Sequence, residues 1–125
     1  MTDRPFLPSG SGTDVRVEPR TPVRWRGQVL TADGRRLAVQ VVDISASGAG
    51  FVGDDTLALH QAITLEAQVP RLPDMIGHVV ERWQATLAFQ MFKGGALRSG
   101  VKFDALTPEQ QAHLLAWTSR RAHRL

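Results

Sequence analysis

The chain changes hydrophobic period once, near Thr107, and that change constrains its fold more than any other feature. Before it, apolar residues recur at every second position in short runs. Val23, Trp25, Val29 and Leu30 alternate imperfectly with Arg24, Arg26 and Gln28. Ile63, Leu65, Ala67 and Val69 alternate with Thr64, Glu66 and Gln68. A period of two marks a strand with one face buried. After Thr107, residues Leu114, Leu115, Trp117, Thr118 and Ala122 form a partly apolar stripe at helical spacing. The segment Thr107-Pro108-Glu109-Gln110 suits a helix start. Threonine can cap, proline fits the first helical position, and Gln110 can complete a capping box. Arg120 and Arg121 suit the negative end of the helix dipole. Many short strands followed by one helix predict a mainly β domain, a small barrel or sandwich with the helix packed on it.

Turn signals divide the β region. Thr31-Ala32-Asp33-Gly34-Arg35 carries an Asp-Gly turn, so the first strand folds back in a hairpin. The return strand, Leu37 to Val42, runs straight into Asp43. Residues 48–53 read as a short strand whose glycines permit close approach or a bulge. Pro70 and Pro73 end the strand that starts at Ala62, and Ile76 to Trp83 forms the next. Thr86 to Phe92 either extends that strand or belongs to a long hairpin. Gly94-Gly95 is a turn, and Arg98 to Phe103 is the last strand. Residues 1–14, with Pro5, Pro8, Ser9, Gly10, Ser11 and Gly12, have the composition of a flexible tail.

A chain of 125 residues suits one domain with a real core. It has no cysteine, which excludes disulfides and cysteine-based metal sites or catalysis. No apolar run approaches the roughly 18 residues of a membrane span, and the first residues lack a signal-peptide core. The expected setting is cytoplasmic. The charge balance is 15 Lys+Arg against 12 Asp+Glu, and Lys93 and Lys102 are the only lysines. Arginine offers a planar fork for phosphate and a flat face for stacking on bases. An anionic partner follows, but the basic excess is too small for a nucleic-acid polymer.

Two motifs carry chemistry. Arg16 and Arg20 stand four apart on a segment that Pro19 and Pro22 keep out of helix. Such a pair can grip phosphates and lie on purine rings, although a solvated basic linker would look the same in isolation. Asp43-Ile44-Ser45-Ala46-Ser47-Gly48 follows a strand end. A carboxylate at Asp43 can accept from N1–H and N2–H₂ of guanine, donors that adenine does not offer. Ser45 can add a hydroxyl contact, and Gly48 allows close backbone approach. An ordinary Asx turn is the plainer reading of the same residues. The two motifs together form a nucleotide clamp.

An Arg-x-x-x-Arg arm, one hairpin, then Asp-x-Ser-x-x-Gly resembles the PilZ domain, the bacterial receptor module for cyclic di-GMP. Ser99-Gly100-Val101-Lys102-Phe103 and the capped helix after it look like that family's last strand and helix. The resemblance runs from about Asp14 to Arg121. It implies a six-stranded antiparallel β-barrel with a C-terminal α-helix. The layout would be a tail (1–14), then a PilZ domain (15–125) with an arm (15–22), a barrel (23–104) and a helix (107–122). Arg16 and Arg20 would contact phosphates and stack on guanines. Asp43 and Ser45 would hydrogen-bond one guanine, and Gly48 would shape the turn. The arm would order over ligand. The protein would act in trans on an unidentified protein partner controlling motility, attachment or exopolysaccharide, as a monomer or weak dimer. The alternative is a ligand-independent interaction module of the same fold. Relatives that bind a stacked ligand pair carry a further basic residue before the first arginine. Here Val15 stands there, preceded by Asp14, which weighs against a pair and leaves the stoichiometry open.

No enzyme or metal site is expected. His60, His78, His113 and His123 are scattered without metal spacing. Ser45 and Ser47 lack the glycine framing of a nucleophile elbow. Asp54-Asp55 reads as a solvated turn, and Glu66 and Glu81 as outward-facing strand residues. Trp25, Trp83 and Trp117 read as core, with Trp25 the nearest to the arm.

Overall fold

The computed structural model describes residues 20–71 and 77–123, and the side chains of 20–71 and 77–119. Six strands run in chain order: β1 (Thr21–Thr31), β2 (Arg36–Ile44), β3 (Gly48–Gly53), β4 (Ala62–Pro70), β5 (His78–Lys93) and β6 (Ala96–Ala105). Helix α1 (Pro108–His123) follows. All pairings are antiparallel, and the sheet closes as a barrel in the order β1-β2-β3-β6-β5-β4. The expected barrel and terminal helix are therefore present. Arg16, the tail, Ile76 and Arg124 lie outside the described residues, as do the side chains of Arg120 and Arg121.

Closure depends on two non-local pairings. β1 meets β4 from Gly27↔Ala67 to Thr31↔Ile63, and β3 meets β6 from Gly48↔Lys102 to Gly53↔Leu97. Alternate residues turn inward, among them Val29, Val41, Phe51, Leu65, Trp83 and Leu87, all nearly inaccessible. Helix α1 adds Leu114 to this core, and its Trp117 stands edge-on to Trp25 with ring centroids 5.4 Å apart. The capping box forms as the sequence predicts. Gln110 N–H donates to Thr107 Oγ1, and Thr107 N–H donates to Gln110 Oε1, both at 3.1 Å. Gln110 Nε2 also donates to the Arg82 carbonyl at 2.7 Å, which ties the helix start to β5.

The tight turns fall where glycine sits. Gly34 (φ 92°) closes β1 onto β2 by donating to the Thr31 carbonyl. Gly94 and Gly95 (φ 61° and 82°) form the two-residue loop between β5 and β6. Both glycines there need positive φ, as this hairpin geometry requires. The strand left open between Ile76 and Phe92 is one element, β5. It carries a bulge at Ala88, between Leu87↔Val101 and Phe89↔Gly100.

Candidate functional site

The β2–β3 turn is held by its own side chain. Ser45 N–H donates to the Gly48 carbonyl at 2.9 Å, and Gly48 N–H donates to Ser45 Oγ at 3.1 Å. The Ser45 hydroxyl donates back to the Gly48 carbonyl at 3.3 Å. Phe103 N–H donates to the Ser47 carbonyl at 2.8 Å and fastens the turn to β6. A side chain at Gly48 would run into the Val101 carbonyl, so only glycine fits that approach. The Ser45 hydroxyl lies inside the turn, fully buried and bonded to Gly48.

Asp43 owes its orientation to a bulge. Val41 pairs with Phe51 and Asp43 with Gly50, so β2 carries one extra residue, Val42. Val41 and Ile44 both face the core. The bulge absorbs the change of parity and turns Asp43 to the outer surface. There it forms two ion pairs. Arg20 Nη2 donates to Oδ1 at 2.6 Å, and Arg98 Nη2 donates to Oδ2. The Asp43 side chain is 10% exposed, against 49% for Arg20 and 33% for Arg98. The carboxylate is thus the inner member of the cluster and the guanidinium groups its rim. This differs from an Asx turn, in which Asp43 would bond its own backbone.

Strand pairing explains how Arg98 arrives. Asp43, Gly50, Gly100 and Phe89 are successive partners across β2, β3, β6 and β5. Gln40, Val52, Arg98 and Met91 form the neighbouring row. Arg98 reaches diagonally across β3, over Gly50. A Cβ at Gly50 would stand 2.9 Å from both Asp43 oxygens, so the missing side chain opens the path. Phe89 lays its ring over Gly100 in the same way. Gln40 and Val52 of that row also line a cleft of about 710 Å³, bounded by Arg24, Arg26, Asp54 and Ala96 as well. Arg20 and Arg98 thus flank Asp43 over Gly50, and Arg24 and Arg26 line the cleft.

Of the residues singled out from the sequence, Arg20, Asp43, Ser45 and Gly48 meet at this end of the barrel. Arg16 lies outside the described residues. The sequence marks Gly50 for close approach without saying to what, and it marks Arg98 only as a strand residue. The signal was slight: both lie on the outward parity of their strands, but their shared neighbourhood requires the β3–β6 pairing. Among the described residues no group of three His, Asp or Glu side chains could hold a metal ion. No described helix is long and apolar enough to cross a membrane.

A family model for the PilZ domain matches residues 14–120. Solved structures with the same fold include the Bacillus subtilis inhibitor of motility MotI/DgrA. It has a TM-score of 0.72 and 17% identity, over 86% of this chain and 50% of that one. The PilZ domain of Escherichia coli YcgR, solved with c-di-GMP, gives 0.64 and 16%, over 86% and 91%. The PilZ domain of CeSA, from a cellulose-synthesizing bacterium, gives 0.53 and 14%, over 84% and 99%. The chain spans half the length of the motility inhibitor and nearly all of the two isolated domains. No curated protein matches the sequence significantly.

Proposed function

Because the chain belongs to the PilZ domain family, we propose that it is a receptor for cyclic di-GMP. A PilZ domain is a binding module and not an enzyme. The observation that carries the reading is the Asp43 carboxylate, held on the outer barrel face with Arg20 at the foot of the preceding segment. The likeness to a YcgR domain solved with c-di-GMP supports the same ligand.

The ligand is a ring of two guanines and two phosphates. Asp43 accepts from N1–H and N2–H₂ of one guanine, which selects guanine over adenine. Arg16 and Arg20 pair with phosphates and stack on the bases. Gly48 and Ser45 hold the turn that aims Asp43. Ser45 would reach a base only by releasing a bond to Gly48. Ligand competes with Arg20 for Asp43, so binding moves the segment that Arg20 ends. That movement is the signal, read in trans by a protein partner in motility, attachment or exopolysaccharide output.

Isothermal titration with cyclic di-GMP, with GMP and cyclic GMP as controls, tests this. Saturable binding specific to the cyclic dinucleotide is expected. Arg20→Ala should abolish or cripple it while the melting temperature holds. Asp43→Ala removes two charge-assisted hydrogen bonds, about 3 kcal/mol or more, and should weaken binding roughly a hundredfold. Absence of binding by the intact protein at millimolar ligand would instead favour a ligand-independent interaction module.

A further inference from the structure

We infer that Arg98 is the standing counter-ion of Asp43, a positioning residue that frees Arg20 for the ligand. This rests on the cyclic di-GMP reading above. The two guanidinium groups on Asp43 are not equivalent. Arg98 lies within β6, paired with Val52 on one side and Met91 on the other. Arg20 precedes the first strand and is the more exposed of the two. They also take different oxygens, Arg20 on Oδ1 and Arg98 on Oδ2. One partner can therefore leave while the other stays.

Charge counting gives the reason for a second arginine. Cyclic di-GMP brings two phosphate charges, and Arg16 and Arg20 supply two. Asp43 adds a third negative charge in a position only 10% exposed. Were Arg20 its sole partner, moving Arg20 onto a phosphate would leave a nearly buried carboxylate with neutral guanine donors and no counter-ion, which is unfavourable. The arm would then be held against Asp43, in competition with the ligand. With Arg98 in place, the carboxylate keeps a counter-ion throughout; Oδ1, left by Arg20, accepts one guanine donor, and the second lone pair of Oδ2 accepts the other. Arg98 also fixes the plane of the carboxylate that those donors meet. Gly50 belongs to the same device, because any side chain there would stand between Arg98 and Asp43.

The test is titration with cyclic di-GMP of the intact protein, Arg98→Gln, Arg98→Lys, Arg20→Lys and the double variant Arg20→Lys/Arg98→Gln. Arg98→Gln should bind roughly tenfold or more weakly, because Arg20 must then give up the sole counter-ion contact of Asp43 to reach a phosphate. Its ligand-free melting temperature should stay within a few degrees, since the side chain lies on the outer face. Arg98→Lys should recover part of the loss through its charge. Because Arg98 acts through Arg20, Arg98→Gln should cost several-fold less affinity in the Arg20→Lys background than alone. Arg98→Gln binding as tightly as the intact protein overturns the inference and leaves the receptor reading standing. Strictly multiplicative losses in the double variant also overturn it, because Arg98 would then act without Arg20. If Arg98→Gln fails to fold, an Arg98→Met protein that folds and binds as tightly as the intact protein has the same consequence. Absence of binding by the intact protein removes the receptor reading, and this inference with it.

Discussion

A single absent methyl group at Gly50 lets two strands that are not neighbours share one carboxylate. Asp43 sits on β2 and Arg98 on β6, with β3 between them, and the ion pair crosses where β3 has no side chain. Gly50→Ala tests that point. The new Cβ would stand 2.9 Å from both Asp43 oxygens, so the carboxylate must shift by several tenths of an ångström. Strand propensity favours alanine over glycine, so the fold should survive with a melting temperature near the parent's. Cyclic di-GMP affinity should fall roughly tenfold or more, since charge-assisted bonds depend on placement. Unchanged affinity would show that the ligand does not need Asp43 where it now stands. Asp43 itself was legible in the sequence, because it ends an alternating strand beside a turn. Arg98 was not. Its value lies in a neighbour 55 positions away, and no local pattern encodes that distance. Ser45 was legible as a turn residue, but which way its hydroxyl points follows from its burial inside the turn, against Gly48.

Elements show the same division between local and non-local information. The helix start could be read because all its parts lie within four residues, and the capping box forms as written. β5 could not be delimited, because the bulge at Ala88 breaks the alternation that would have marked one strand. The bulge at Val42 had no sequence signature either, yet it sets the facing of Asp43. Across the strands, Glu66 illustrates how outward residues contribute. It was read as merely outward-facing, but it bridges three strands, accepting from Gln28 on β1 at 2.7 Å and from Arg82 on β5. These bonds, the Gln28 one foremost and then Arg82, hold its carboxyl below its ordinary value of 4.5. A carboxyl lowered by folding stabilises the fold above its ordinary pKa, and the contribution fades as pH falls through the lowered value. Glu66→Gln should therefore melt below the parent at neutral pH. The gap should close as pH drops well below 4.5. Melting curves from pH 7 downward check this, and a gap that does not narrow at any acid pH at which the parent still folds would mean the bonds rather than the charge are responsible.

At the scale of the whole molecule, the barrel is closed but does not fill itself; the helix completes its core. Leu114 is 3% exposed and belongs to the same apolar cluster as Val29, Leu65 and Trp83. Trp117 packs edge-on against Trp25, so Trp25 reports on the junction of helix and barrel. His113 Nδ1 lies 2.9 Å from Glu81 Oε2 and, with Gln110, adds polar fastenings to β5. Helix and barrel should consequently unfold together, in spite of their separation in sequence. Leu114→Ala tests this, since the cavity it leaves is shared by both. The loss should be roughly 2–5 kcal/mol, read as a lower urea midpoint with an unchanged slope. Far-ultraviolet circular dichroism follows the helix, and tryptophan fluorescence follows the barrel core through Trp83 and the helix junction through Trp25. In the parent and in Leu114→Ala the two signals should trace one transition. If the helical signal were lost first while Trp83 stayed buried, the helix would be an appendage to a barrel stable without it. Leu114→Ala would then cost far less than a core substitution.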